Sequence, residues 1–454
     1  MSIDQEKILR ALDTPASLTR VREILIKAKQ LQRLSLEETA VLLNIEDENL
    51  LAECLQAARE VKDSIYGKRL VIFAPLYISN LCNNECLYCA FRASNTMVSR
   101  KALTQAEIKQ ETEHLLRTGQ KRVLLVSGEA YPKEGLDYVM KAIETVYAAR
   151  DGQNSIRRIN VNIAPLEVAE FKRLKEANIG TYQLFQETYH RETYNKLHLK
   201  GQKSDYDYRI SAIDRAFSAG IDDVGIGVLF GLYDYKYEVL ALMSHIEHLE
   251  QTFGMGPHTI SVPRLEPATG SDIATHPPYP VSDINFKKVI AALRLAVPYT
   301  GIILSTRETP QIRRDSLDLG VSQISAGSRT NPGGYSEQES AEQFSLGDHR
   351  ALDEVIYDIC QKGYLPSFCT SCYRLGRTGL DFMEYAKPGD IKKKCLPNAL
   401  FTFQEYLQDY ASPKTRALGE KLIARQLADL PEGIRDKSSK FVEKVKTGQR
   451  DLCV

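Results

Sequence analysis

Over residues 1–66 apolar positions recur at spacings of three and four, most clearly through 21–31 and 41–58, and proline and glycine are nearly absent. That is helical periodicity. Ser35 and Glu38 stand at the spacing of a capping box. This stretch predicts an amino-terminal helical layer.

From Leu70 the rhythm changes, and short β-rich runs alternate with helical stretches. The runs predict strands over 70–78, 122–127, 158–163, 181–186, 222–229, 258–262, 302–306 and 323–326. Helices fit between them, for example over 104–118, 165–177, 208–219 and 283–296. Gly119, Gly180 and Gly220 follow helical runs, where a left-handed cap is expected. Eight strands alternating with helices predict an α/β fold, a (β/α)8 TIM-type barrel over residues 67–332. From 333 to 454 the β rhythm stops and a mainly helical carboxy-terminal domain is expected, with 388–389 and 392–394 in an exposed loop.

Composition narrows the partners. Lys plus Arg equals Asp plus Glu, at 59 each in 454 residues, so no field-driven binding to nucleic acid or to a membrane surface is implied. No apolar run is long enough for a membrane span, and the first residues lack an apolar leader core. Nine cysteines in such a chain suggest the reducing cytoplasm and metal ligation rather than disulfides.

Six of the nine fall into two triplets. Cys82, Cys86 and Cys89 follow the first predicted strand at C-x3-C-x2-C. Three thiolates can hold three irons of a four-iron four-sulfur cube and leave the fourth iron open to a small molecule. Zinc prefers four closed ligands, which a lone triplet does not supply. Cys369 and Cys372 form C-x2-C, and Cys395 follows after 22 intervening residues. This second triplet fits a second open cube, a structural zinc site completed by a His or by Cys360, or a set of buried core thiols. Cys54, Cys360 and Cys453 read as non-ligands.

The first triplet closely resembles that of the radical S-adenosylmethionine (SAM) superfamily, whose open iron chelates SAM. The resemblance implies a barrel fold and a 5′-deoxyadenosyl radical formed by one-electron cleavage of SAM. It also implies further contacts. Gly128 and Glu129 match the family's motif after the second strand, with Ser127 in place of its first glycine, and the carboxylate would meet the SAM ammonium. A small residue there would let the backbone approach the ligand. Tyr88 matches the aromatic position near the adenine, and Arg209 the arginine for the SAM carboxylate. Glu187 follows the fourth strand, and Gly231 closes a glycine-bearing segment that would flank the nucleoside.

Both triplets together with Ser371-Cys-Tyr-Arg-Leu-Gly-Arg-Thr-Gly379 and Gly256-Pro-His-Thr-Ile-Ser-Val-Pro-Arg264 resemble the tyrosine lyases of FeFe-hydrogenase maturation over nearly the full length. That resemblance implies cleavage of L-tyrosine at Cα–Cβ to p-cresol and dehydroglycine. Carbon monoxide and cyanide would then form at an auxiliary cluster to build an iron dicarbonyl cyanide unit. It implies a second four-iron cluster with an additional, cysteine-linked iron. The implied partners are SAM, free cysteine, a reduced ferredoxin or flavodoxin and other hydrogenase maturation proteins. His258 matches the family's ligand to the additional iron. His258 begins the sixth strand and Arg264 ends it, about 20 Å apart, so His258 is expected at the mouth opposite the first triplet. The tyrosine carboxylate needs a cation, and Arg307, Arg264 and Arg313 are the candidates; rim salt bridges would also explain all three. Two other functions stay open: a 2-iminoacetate synthase of the thiamine-pathway kind with zinc at the second triplet, and a non-catalytic iron–sulfur scaffold.

Overall fold

A computed structural model describes residues 1–336 and 342–454. Its centre is a closed ring of eight parallel strands: β1 (Arg69–Ser79), β2 (Arg122–Ser127), β3 (Arg158–Asn162), β4 (Tyr182–Glu187), β5 (Val224–Val228), β6 (Thr259–Ser261), β7 (Gly301–Leu304) and β8 (Val321–Ser325). Each pairs with the next, and β8–β1 and β1–β2 pairing closes the barrel. The radical SAM-type (β/α)8 architecture expected from the sequence is thus present. Every residue of β1 is buried. Phe73, Pro75 and Tyr77 face the barrel interior, while Leu70, Ile72, Ala74, Leu76 and Ile78 pack outward into the helical shell, the strict alternation a strand imposes.

A ninth strand, β9 (Leu365–Ser367), was not expected. It pairs in parallel with Arg69–Val71, whereas β2 pairs with β1 only from Ala74 onward. The amino end of β1 therefore overhangs the barrel and carries β9 on its flank.

Four helices, Gln5–Leu12, Leu18–Lys29, Leu36–Leu43 and Glu48–Ile65, form the amino-terminal layer. Ser35 and Glu38 make the capping box. The layer packs on the helices Tyr235–Phe253 and Asp283–Ala296. Three local expectations change. Gly119 and Gly220 are left-handed, but after the helix Val168–Glu176 it is Asn178 that takes φ 58°. Gly180 is there for space, since a Cβ would stand 2.3 Å from Asn160 Oδ1. The run 208–219 is two short helices, Tyr206–Ile210 and Ala212–Ser218. Lys392–Lys394 are exposed, but they form the first turn of a helix, Ile391–Asp409, that carries Cys395 and buries Pro397.

Helices dominate the chain after residue 341, and residues 337–341 of the expected carboxy-terminal domain lie outside the described residues. Among the described residues no helix is long and apolar enough to cross a membrane.

Candidate functional site

The loop after β1 carries the first triplet, and its backbone is held from several sides. Leu87 N donates to Leu197 O at 3.0 Å, Glu85 N to Lys200 O at 3.0 Å, and Leu199 N to Glu85 O at 2.9 Å. Arg100 donates to the carbonyls of Asn80 at 3.0 Å and Phe91 at 2.8 Å. The loop after β2 closes on it as well, with Ala130 N donating to Leu81 O at 3.1 Å. A Cβ on Gly128 would stand 2.2 Å from Leu81 O. Contact between the two loops therefore requires a glycine here, and Gly128 also lines the cavity beside the triplet.

The three thiols line one cavity at the carboxyl ends of the strands, with about 1430 Å³ of space including its open mouth. Burial raises the pKa of all three, that of Cys89 to about 11. Metal loading there must release protons, because iron takes thiolates.

Across the cavity sits a charge network. Arg209 Nη1 donates to Glu129 Oε1 at 2.9 Å, Arg209 Nε to Phe185 O at 2.8 Å, and Asn84 Nδ2 to Glu129 Oε2 at 2.8 Å. Lys203 Nζ donates to Glu187 Oε1 at 2.7 Å and lies 3.9 Å from Glu129. Burial opposes the Glu129 charge, but Arg209, Lys203 and Asn84 outweigh it and hold the carboxyl below its usual value. Burial and Arg209 oppose the charge of Lys203, yet Glu187, Cys86 and Glu129 keep its pKa above the usual lysine value. Glu187 has φ 70° at a register shift between β4 and β5. A non-glycine residue in that region costs about 1–3 kcal/mol, and here it ends a strand with a carboxylate lining the cavity.

Lys203 and Asn84 were missed by the sequence reading. Asn84 Oδ1 also accepts from Lys203 N at 3.0 Å, so one side chain ties the cysteine loop to Glu129 and to the backbone of Lys203. No motif marks either residue. Tyr88 is buried beside the triplet, its hydroxyl 2.9 Å from His198 Nε2. Burial and Lys203 lower the His198 pKa.

The candidate arginines separate. Arg307 lines the cavity and stacks over the Phe344 ring, and no carboxylate or carbonyl among the described residues accepts from its guanidinium. Burial opposes its charge and lowers its pKa. Arg264 is instead clamped by Glu308, Asp283 and Val281 O. Arg313 pairs with Asp348 and donates to Ser325 O. Neither lines the cavity, and both are held in the rim ion pairs that were the alternative reading of these arginines. Gly231, at φ 119°, packs against Leu265, accepts from Tyr279 N, and is also outside the lining.

The second triplet lies at the opposite, amino-terminal mouth. Cys369 follows β9, and Arg69 at the start of β1 sits among Cys395, Cys369 and Cys372. Cys372 and Cys395 are in hydrogen-bond contact. Tyr373 reaches under the barrel: its hydroxyl accepts from Arg122 Nη2 at 2.7 Å and lies 3.1 Å from Thr181 Oγ1. His258 Nδ1 is 2.9 Å from Asp223 Oδ2, and its ring stacks on Phe382 at 4.1 Å. His258 thus stands at this mouth with Nδ1 engaged, which leaves Nε2 as its second nitrogen for a ligand. From Arg69 to Tyr77 the inward row of β1 spans about 26 Å, the scale of the separation between the two mouths.

Among the described residues no three His, Cys, Asp or Glu side chains are gathered to hold a single metal ion. Zinc draws its ligands into one tetrahedron, whereas a cube spreads three thiolates over three irons. Three thiols at each triplet are the donor set that a cube can take on three of its irons.

Comparison with known proteins agrees. A family model described as the radical SAM superfamily matches residues 76–245, and one described as the Biotin and Thiamin Synthesis associated domain matches residues 261–365. The crystal structure of HydG, a maturase of the FeFe-hydrogenase, is 50 % identical, covers 100 % of this chain and 99 % of that one, and superposes with a TM-score of 0.97. The HydG maturase from Carboxydothermus hydrogenoformans is 43 % identical, with 93 % of this chain and 94 % of that one covered and a TM-score of 0.82. The 2-iminoacetate synthase of Escherichia coli (strain K12) is 34 % identical over 75 % of this chain and 88 % of its own length. The chain belongs to the radical SAM superfamily of enzymes and, within it, to the family of the FeFe-hydrogenase maturase HydG.

Proposed function

We propose that this protein is a tyrosine lyase that works at two mouths of one barrel. At the carboxyl mouth it cleaves L-tyrosine to p-cresol and dehydroglycine. At the amino mouth the fragment yields carbon monoxide and cyanide, which leave as an iron dicarbonyl cyanide unit for hydrogenase assembly. The observation that carries this reading is the placement of two cysteine triplets at opposite ends of the same barrel, one of them on the cavity that Arg307 also lines.

Membership of the superfamily brings a four-iron four-sulfur cluster and SAM to Cys82, Cys86 and Cys89; when bound, they supply the one-electron cleavage that produces a hydrogen-abstracting radical. The chain's own residues then bind and orient. Glu129 would offer a carboxylate for the SAM ammonium, and Arg209, with Lys203 beside it on the cavity lining, would take the SAM carboxylate. Tyr88 and the buried loop keep water from the reacting atoms. Arg307, the cavity arginine that makes no salt bridge among the described residues, takes the tyrosine carboxylate. Cys369, Cys372, Cys395 and His258 hold the second cluster and the additional iron, with free cysteine as its linker. A reduced ferredoxin or flavodoxin delivers the electron, other hydrogenase maturation proteins take the product, and the cytoplasm is the compartment.

Metal analysis tests the reading. Two cubes and an extra iron give about eight or nine irons per anaerobically reconstituted chain and no zinc. About four irons with one zinc would favour a 2-iminoacetate synthase in place of the two-cluster enzyme.

Arg307→Lys keeps the charge but loses the planar fork that pairs with a carboxylate through two bonds. The tyrosine KM should rise by roughly tenfold to a hundredfold, the scale of a charge-assisted hydrogen bond. Tyrosine-independent cleavage of SAM should survive. Unchanged tyrosine kinetics would make Arg307 structural.

A further inference from the structure

The amino-terminal mouth holds a buried cation that pairs with no carboxylate among the described residues. Arg69 opens β1 on the inward-facing row that continues through Phe73 to Tyr77. It is 8 % exposed. Its Nε is buried without an acceptor, and among the described residues no carboxylate or carbonyl takes a hydrogen bond from its guanidinium. What surrounds it is Cys395, Cys369, Cys372 and the ring of Tyr66. Arg122, Arg158 and Arg377 lie at the same mouth, and each also has a buried Nε without an acceptor. The acidic group there, Asp223, is engaged by His258.

Magnitudes exclude packing as the reason. A guanidinium out of water and unpaired costs several kcal/mol even after relaxation. The Tyr66 ring is 5.9 Å away, and a cation–π contact at that range contributes about 0.5–2 kcal/mol. The residue makes physical sense in the fold when an anion faces it.

We propose that Arg69 is the anion-binding residue of the second site, pairing with negative charge gathered at Cys369, Cys372 and Cys395. The inference rests on reading that triplet as a cluster site. The anion has two sources with one chemistry: the thiolate–sulfide group itself, or the carboxylate of a small amino acid held beside it. A cation next to a cluster favours the reduced, more negative form, because potentials follow net charge and hydrogen bonds to the sulfurs. In either case Arg69 positions and balances; it does not ligate metal.

The test compares anaerobically reconstituted wild type with Arg69→Gln and Arg69→Lys. Three quantities are read: iron per chain, the reduction potential of the second cluster by spectroscopically monitored titration, and the affinity of that cluster for L-cysteine against cysteamine, which lacks the carboxylate. If the cluster is the anion, Arg69→Gln lowers the potential and Arg69→Lys restores most of it. If the carboxylate is the anion, Arg69→Gln weakens L-cysteine about tenfold or more and leaves cysteamine unchanged. A folded Arg69→Gln chain with wild-type iron, potential and L-cysteine affinity overturns the proposal. Should Arg69→Gln not fold, Arg69→Met, which keeps the length of the side chain and loses its charge, decides on the same readings: a lowered potential or a weakened L-cysteine affinity supports the role, and a folded chain with wild-type values of both overturns it. Wild type with only about four irons sinks the cluster reading itself, which is a different failure.

Discussion

Replacing Cys82, Cys86 and Cys89 together by serine should abolish both p-cresol and 5′-deoxyadenosine while leaving the chain folded. Each hydroxyl is a poor substitute for a thiolate toward iron. Cys89 Sγ accepts from Phe91 N at 3.4 Å, a bond that a serine oxygen can also accept, and most of the loop's shape is held by other groups. Its hydrogen bonds to Leu197, Lys200 and Arg100 are made by backbone groups, and Gly128 closes on Leu81 by shape alone. Cys86 belongs to a buried apolar cluster and Cys89 packs against it, so the triple change should lower the thermal midpoint of the metal-free protein by the equivalent of about 1–3 kcal/mol, the cost of burying a poorly paired hydroxyl, without unfolding it. Product analysis by chromatography, with iron determination on the same sample, checks the expectation. Iron should fall by about four per chain and both products should vanish. Continued p-cresol formation in the folded triple variant would place the radical chemistry elsewhere and remove the basis for assigning SAM to this loop.

How much of this was legible in the sequence depends on which force sets each feature. All eight barrel strands were found, because burial on both faces leaves a run of apolar residues between helical stretches, as in β2 and β5. β9 was not found. Three residues containing Pro366 carry no periodicity, and the strand exists because the overhanging end of β1 offers it an edge. Asn178 displaced Gly180 as the left-handed residue because Gly180 was needed for its missing side chain beside Asn160. The lysines 392–394 read as a loop because three adjacent cations interrupt the buried face of a helix between Ile391 and Cys395.

The site divides in the same way. Cysteine spacing is a covalent constraint on a local loop, so both triplets could be read directly. Side chains that meet through the fold could not. Lys203 is marked by no motif and becomes part of the cavity because the segment before it pairs with the cysteine loop. Arg264, Arg307 and Arg313 look equivalent along the chain. Only the fold shows that Glu308 and Asp348 occupy two of them, leaving Arg307 with an open guanidinium in the cavity.

The separation of the two mouths gives the remaining large effect. Cys369→Ser combined with Cys372→Ser should leave p-cresol formation substantially intact, because these residues lie at the far end of the barrel, about 26 Å along β1 from Tyr77 and beyond the cavity that holds the first triplet. Carbon monoxide should fall by an order of magnitude or more, and infrared bands of an iron carbonyl should be absent. His258→Ala should be milder. His258 is a single imidazole whose Nδ1 is engaged by Asp223, so its loss removes one ligand and leaves the three thiols. The cluster should be retained, the extra iron lost, and iron-bound products reduced, with the total falling by about one iron per chain. Second-site thiols with no part in the radical step predict this uncoupling of p-cresol from carbon monoxide. A single shared site predicts that the two products fall together. If His258→Ala stopped p-cresol release in a folded, fully loaded chain, His258 would have to act beside the tyrosine, and the assignment of the two steps to opposite mouths would be wrong.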